Sequence, residues 1–199
     1  MENYKQVTTG YYDSNALLYQ SLTENYIEKL GYEINLFLEN LKGRKILDLG
    51  SGSGRDSLFF KNSGFQLLCV DISKEMMHLC KEKGLTSLVM DIEDLGFRQE
   101  SFDGIWSYTS LLHVPRIKIR NALSSIHACL KKDGVLFVGM KEGDFEGFHK
   151  NQLYKCSRFY SLYQDDNFRK ILSEHFEILF YSKTITDKNI YLNYLCKPT

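Results

Sequence analysis

Proline is scarce, with two residues in a chain of 199, and neither sign of charge is in excess, since 25 Lys and Arg balance 25 Asp and Glu. A chain without net charge has no global field towards DNA, RNA or an anionic membrane, so a purely electrostatic nucleic-acid binder is disfavoured. No stretch approaches the roughly 18 uninterrupted apolar residues of a membrane span. The N-terminus MENYKQVTTGYYDSN is polar and lacks the apolar core of a signal peptide. The five cysteines, Cys69, Cys80, Cys129, Cys156 and Cys196, are widely spaced and include no Cys-x-x-Cys pair, which suggests neither a disulfide framework nor a zinc knuckle. His78, His127, His149 and His175 show no ligand spacing with one another or with the cysteines, and no metal is expected. These absences lead to the expectation of a soluble, reduced, cytoplasmic protein without a membrane partner.

Core material is ample, with 43% hydrophobic and 14% aromatic residues. A single domain of this size can bury roughly 70% of its unfolded surface and fold alone. Residues 16 to 41 place apolar side chains at Leu17, Leu18, Leu22, Tyr26, Ile27, Leu30, Ile34, Phe37, Leu38 and Leu41. That spacing is helical and breaks at Gly31, which predicts one or two amphipathic helices. The apolar run KILDLG, stopped by glycine, suits a strand buried on both faces of a parallel sheet. From there strands at 46–49, 66–70, about 87–90, 102–108 and 135–140 are interleaved with helices at 54–62, 73–83 and about 116–132. Ser73 is placed to cap the second of these helices and Gly84 to end it. Such alternation gives βαβ units with helices on both faces of a mostly parallel sheet. A helix at about 165–175 and two strands, FEILFYSKT and IYLNYLCKP, separated by ITDKN, predict an antiparallel hairpin at the sheet edge. The single domain 1–199 thus divides into a helical cap at 1–41, a core at 42–141, a connector at 142–164 long enough to be a lid loop, and a terminal helix and hairpin at 165–199.

The strongest chemical signal is Asp48-Leu-Gly50-Ser-Gly52-Ser-Gly54-Arg-Asp56, between a buried strand and a helix. Alternate glycines let backbone pass close to a ligand, and the helix N-terminus beyond offers N–H groups to a carboxylate or phosphate. Alone, such a turn could be a tight structural corner; the strand before it and the helix after it favour a ligand-binding role. A dinucleotide fingerprint needs Gly-x-Gly-x-x-Gly, but its last position is Arg55 counting from Gly50 and Ser57 counting from Gly52, which disfavours NAD. A P-loop needs Gly-Lys-Ser/Thr, and Gly54 is followed by Arg55 and Asp56, which disfavours ATP. What remains is a nucleoside whose non-sugar end carries a carboxylate and little or no phosphate. Asp71 ends the second strand, where its carboxylate can accept two ribose hydroxyls or act only as the acid of a helix N-terminus. Asp91 follows the third strand, placed either to hold an exocyclic amine beside Ile92 or to close an ordinary turn. Ligands of open α/β sheets bind at this carboxyl edge.

In order and spacing, ILDLGSGSGRDS, CVDIS, MDIEDL, FDGIWSYTSLLHV and LKKDGVLFVGMKEG resemble the class I S-adenosylmethionine-dependent methyltransferases over about residues 10 to 199. The resemblance implies an α/β, Rossmann-like, seven-stranded mostly parallel sheet of order 3-2-1-4-5-7-6, strand 7 antiparallel, with helices on both faces. It implies S-adenosyl-L-methionine as cofactor and S-adenosyl-L-homocysteine as product. Gly50, Ser51 and Gly52 would line the methionine part, Asp71 the ribose, and Asp91 with Ile92 the adenine; Gly54, Arg55 and Ile72 join this cofactor set. Ser107 and Tyr108 would sit beside the reactive sulfonium. A narrower likeness is to small bacterial methyltransferases with GYYDSNALLYQSLT before the core and an Arg-Phe-aromatic segment, here KCSRFYSLY, after strand five. It makes Tyr12 and Tyr19 candidates for cofactor contacts, beside their ordinary role as helix-packing aromatics.

Methyl transfer from a sulfonium is an in-line displacement in which the protein mainly positions the acceptor and excludes water, so a base is optional. His113, in SYTSLLHVP, is the candidate base because its ordinary pKa lies in the right range, against a bland role bonding backbone. Tyr108 is the second catalytic candidate, and both belong with Lys141 and Arg158 in the candidate acceptor set. Arg158 is suited to pair with an acidic group of the acceptor or with the carboxylate of the cofactor. An Asn/Asp-Pro-Pro-Tyr/Phe motif is absent where TSLL stands, which argues against DNA bases and glutamine as acceptors. The expected activity is methyl transfer to N, O or S of a small molecule, by a monomer or weak dimer. The alternatives are a peptide, protein or tRNA acceptor, or a cofactor-binding scaffold without turnover.

Overall fold

A computed structural model describes residues 3–151 and 156–199. In chain order the elements are α1 (Asn3–Thr23), a 3-10 stretch (Glu24–Leu30), α2 (Gly31–Asn40), β1 (Lys45–Leu49), α3 (Arg55–Asn62), β2 (Gln66–Asp71), α4 (Lys74–Glu82), β3 (Ser87–Val89) and β4 (Phe102–Tyr108). There follow a 3-10 turn (Leu111–His113), α5 (Ile119–Cys129), β5 (Leu130–Lys141), β6 (Glu146–Asn151), β7 (Cys156–Ser161), α6 (Asp165–Leu172), β8 (Phe176–Ile185) and β9 (Ile190–Pro198). Seven strands form one sheet in the order β3-β2-β1-β4-β5-β9-β8, and β9 runs antiparallel to both β5 and β8. This is the expected arrangement, with β8 and β9 in the places of strands 6 and 7.

The central strands are largely apolar because each buries both faces, sending alternate side chains to two layers. Leu47, Leu49, Ile105, Leu136 and Val138 join α5 and α6 on one side. Ile46, Trp106, Val135 and Phe137 join Phe37 of α2 and Phe60 of α3 on the other. Trp106 centres this second layer: it stacks on Phe137 at 4.0 Å between ring centroids and meets Phe37 and Phe60 edge-on at 5.2 Å. Such ring pairs add about 0.5–1.5 kcal/mol each beyond the area they bury. Ser73 caps α4 as expected, its Oγ accepting from the Met76 N–H at 3.2 Å, and Gly84 (φ 68°) follows the end of the helix.

Three expectations need correction. The first helix begins at Asn3, not near residue 16, and its buried residues are Thr8, Tyr11 and Ala16, while Leu17, Leu18 and Leu22 are exposed. The leucine spacing therefore marks the outer face of α1, and the inner face is polar and aromatic. The fifth helix ends at Cys129, because β5 already starts at Leu130. Asp133 and Gly134, which fall between the expected helix and strand, lie inside this strand, where Phe102 and Gly104 pair with Leu130 and Val135 across a register shift. Lys131, in this bulge, ion-pairs with Asp103 at 2.6 Å. Finally, the connector at 142–164 is not an open loop. It holds β6 and β7, an antiparallel ribbon with Phe148 opposite Phe159 and His149 opposite Arg158, and β7 packs on α1. Residues 152–155 of the connector, including the start of KCSRFYSLY, lie outside the described residues.

Gly104 of β4 lies beneath α2, where an added Cβ would come within 2.5 Å of Leu41 Cδ2 and 2.8 Å of Phe37 Cζ. Overpacking of this kind costs typically about 1–3 kcal/mol. Urea unfolding of Gly104→Ala is expected to show a loss of that size; unchanged stability would mean that α2 does not seat on β4 as described.

Candidate functional site

The chain leaves β1 through Gly50 (φ 72°), Gly52 (φ 53°) and Gly54 (φ 76°), left-handed conformations that favour glycine. The Gly50 and Ser51 N–H groups both donate to Val70 O, at 2.8 and 3.0 Å, which ties the turn to β2. One residue on, Asp71 Oδ2 accepts from the Gly52 N–H at 3.0 Å and Oδ1 from the Ser73 N–H at 2.9 Å. Burial raises the Asp71 pKa, against the lowering effect of those amides. Each carboxylate oxygen can accept more than one hydrogen bond, so the group keeps capacity towards a ligand. A Cβ added at Gly52 would meet nothing nearer than Tyr19 Cε1 at 4.0 Å, so this residue is open to the cavity, below Tyr19. Gly54 faces elsewhere: its Cβ would press on Leu85 and Cys80, so its role is to seat α3 beside α4.

Beneath the turn lies a buried polar floor. Ser57 Oγ donates to Asp48 Oδ2 at 2.7 Å, and the Trp106 indole N–H donates to Asp56 Oδ2 at 2.9 Å. Arg55 pairs with Asp56 and also donates to Thr23 O at 3.2 Å, which fastens the end of α1. Burial, and then the neighbouring Asp56, push the Asp48 carboxyl well above the usual carboxylate range.

A cavity with about 1030 Å³ of free space, open to solvent, sits over this floor at the carboxyl edge of the sheet. Of the sequence-predicted residues, Tyr12, Tyr19, Gly50, Ser51, Gly52, Arg55, Asp71, Ile72, Asp91, Ile92, Tyr108 and His113 line it. Gly54, Ser107, Lys141 and Arg158 do not form its wall. Ser107 is fully buried and hydrogen-bonds Ser110 Oγ at 2.7 Å, and that hydroxyl donates to Leu49 O at 2.7 Å, tying the ends of β4 and β1 together. Thr109 and Ser110 take the lining position beside Tyr108, with Thr109 at φ 58°, a conformation unfavourable for a β-branched side chain. Tyr108 lies across Gly139 of β5, which has no Cβ to obstruct the ring, and burial raises its phenol pKa.

Among the residues that sequence reasoning missed, Tyr4, Lys5, Thr8 and Thr23 of α1 line the same cavity. Lys5, Thr8, Tyr12, Tyr19 and Thr23 follow a helical spacing, a polar and aromatic stripe that was available as a signal. Lys5 Nζ bridges Asp91 at 2.7 Å and Glu93 at 3.0 Å. Farther along, Tyr12 Oη lies 2.9 Å from His113 Nε2, and His113 Nδ1 lies 2.6 Å from Phe159 O. A carbonyl only accepts, so Nδ1 carries the proton and Nε2 accepts from the tyrosine. Arg158 Nη1 donates to the same Tyr12 oxygen at 2.9 Å. Burial, and then the Arg158 charge, lower the His113 pKa to about 3. The ring is therefore neutral at pH 7 with both nitrogens engaged, which leaves no free lone pair for the base role expected of it.

The profile of a methyltransferase domain family matches residues 47–138. An uncharacterised protein of Methanocaldococcus jannaschii is 27% identical over 84% of this chain and 72% of its own length. A ubiquinone biosynthesis O-methyltransferase of Haemophilus ducreyi is 29% identical over 69% of this chain and 61% of its own length. Other curated relatives are matched over less of their length, down to 29% for a sarcosine/dimethylglycine N-methyltransferase of Aphanothece halophytica. The crystal structure of magnesium protoporphyrin IX methyltransferase from Synechocystis PCC 6803, with bound S-adenosylmethionine, shares the fold with a TM-score of 0.77 at 16% identity, covering 100% of this chain and 99% of that one. The glycine turn, the acids at the ends of β2 and β3 and the open cavity suit that cofactor. Residues 47–138 therefore match a methyltransferase domain, set in the Rossmann-like fold that the S-adenosylmethionine-dependent methyltransferase of known structure shares.

Proposed function

We propose that this methyltransferase transfers a methyl group to N, O or S of a small-molecule acceptor. The observation that carries the reading is the cover: α1, on which β7 packs, lines the cavity with Thr8, Tyr12, Tyr19 and Thr23, and Tyr12 meets His113 there. A cleft roofed by the chain itself suits a compact acceptor better than a folded polymer. The names of two proteins similar to this chain, from ubiquinone biosynthesis and for magnesium protoporphyrin IX, point the same way.

Gly50, Ser51 and Gly52 would hold the methionine part of the cofactor, Asp71 its ribose hydroxyls, and Asp91 with Ile92 its adenine. When bound there, the cofactor supplies an electrophilic methyl group. The chain's own residues position and enclose. Tyr19 covers the glycine turn, and Tyr108 stays a neutral phenol at the end of β4. His113 holds the Tyr12 hydroxyl in place, a positioning role instead of proton removal. The acceptor then attacks with an electron pair it already has free, as an amine, thiolate or phenolate does.

The direct test is incubation with methyl-labelled S-adenosylmethionine and a set of small amines, phenols and thiols, followed by chromatography. Label in a low-mass product is expected; label found only in added protein or RNA would refute the small-molecule reading. Asp71→Ala should weaken S-adenosylhomocysteine binding by about 1–3 kcal/mol in titration calorimetry, through lost charged hydrogen bonds; equal affinity would remove Asp71 from the ribose site. His113 should keep one neutral tautomer in NMR spectra from pH 8 to pH 5. Unfolded, this side chain binds its proton near pH 6.5, so its contribution to stability is complete above about 6.5 and is lost as pH falls towards 3. A midpoint near 6.5 in the native protein would show a ring open to water.

A further inference from the structure

Two cations near the acceptor side have no acid to balance them among the described residues. Arg158, on β7, sets its guanidinium 4.7 Å from the ring centroid of Tyr11 and 5.0 Å from that of Tyr160, and donates from Nη1 to Tyr12. Its Nε is buried without a hydrogen-bond partner among the described residues. Lys141, which ends β5, holds Nζ 5.9 Å from the same Tyr160 ring. Neither makes an ion pair among the described residues, whereas Lys5, Arg55, Arg116, Lys131 and Lys183 each meet a carboxylate within 3.0 Å. Burial, and then the Arg158 charge, depress the Lys141 pKa, so the two feel each other. Aromatic faces offset part of the cost of holding two partly buried like charges together, and an anion would offset the rest.

Their place in the fold says which molecule brings that anion. Lys141 lies two residues beyond Gly139, the register partner of Tyr108, and Arg158 reaches the cavity wall through Tyr12. Both sit on the β4–β5 and ribbon side, while the acids assigned to ribose and adenine lie at the ends of β2 and β3. We propose that Lys141 and Arg158 together bind a carboxylate of the acceptor, so that the substrates of this enzyme are small carboxylic acids seated beside the Tyr160 ring. This rests on the small-molecule reading above and narrows it to one class of compound. A bidentate guanidinium contact joined by an ammonium fits a carboxylate and discriminates against its uncharged amide.

The test uses protein saturated with S-adenosylhomocysteine and two matched pairs of probes, benzoate with benzamide and 4-hydroxybenzoate with 4-hydroxybenzamide, followed by calorimetry and thermal unfolding. The acids are expected to bind and raise the melting temperature, and the amides to do neither. Arg158→Gln and Lys141→Gln should each weaken acid binding about 10-fold or more, and Arg158→Lys should retain part of it. Affinity for S-adenosylhomocysteine should stay within about 2-fold in every variant. The proposal is overturned if neither acid binds, if the amides bind as well, or if the variants leave acid affinity unchanged. It is equally overturned if they weaken S-adenosylhomocysteine as much as the acids, since the pair would then serve the carboxylate of the cofactor. Lys141 is partly exposed, so Lys141→Gln keeps the test open should Arg158→Gln fail to fold. Absence of S-adenosylhomocysteine binding by the unmodified protein would instead sink the methyltransferase reading itself.

Discussion

The site depends on one carboxylate held at the end of a strand. Asp71 takes an amide from the glycine turn on one oxygen and an amide from the start of α4 on the other, so two segments that no ladder joins are referred to one point on the sheet. Three residues in left-handed conformations would otherwise be costly to order, because glycine gives up more backbone freedom on folding than any other residue. The same geometry that fixes the turn leaves the carboxylate facing the cavity.

Polar contacts, more than apolar burial, seat the covering helix. Lys5 reaches the acids after β3, Asp13 accepts from the Ser73 hydroxyl and the Glu75 amide, and Thr23 O receives Arg55. Thr8 Oγ1 accepts from the Phe159 amide, and Tyr12 closes onto His113. Hydrogen bonds of this kind contribute about 1 kcal/mol each, but these span α1 nearly from end to end, and Tyr12 and Thr8 turn the helix face that lines the cavity. Leu17 and Leu22 consequently face outward, at 71% and 55% exposure.

The sheet was legible in the sequence because buried parallel strands are nearly continuous apolar runs, and one intervening helix carries a plain cap signal at Ser73. The glycine turn and the acids at positions 71 and 91 were legible because each falls at a strand end, where the fold leaves little choice of direction. The ribbon was not, since Glu146–Asn151 mixes charge, glycine and aromatics without the period-2 apolar pattern of a half-buried strand. Nor was the first part of α1, whose inner face meets a polar cavity and therefore has no hydrophobic period. His113 shows a third kind of limit: its residue type and place suggested a base, and only the side chains brought to it from α1 and β7 reveal that both nitrogens are engaged.

β6 and β7 form a two-stranded sheet of their own, apart from the seven-stranded one, with a single bridge between Glu142 and Tyr163 at their base. No rung of the central ladder has to break when that ribbon is lengthened, shortened or recomposed. The molecule is in this sense a chuck with a removable bit: the ribbon is an attachment that can be exchanged without re-cutting the sheet that carries the glycine turn.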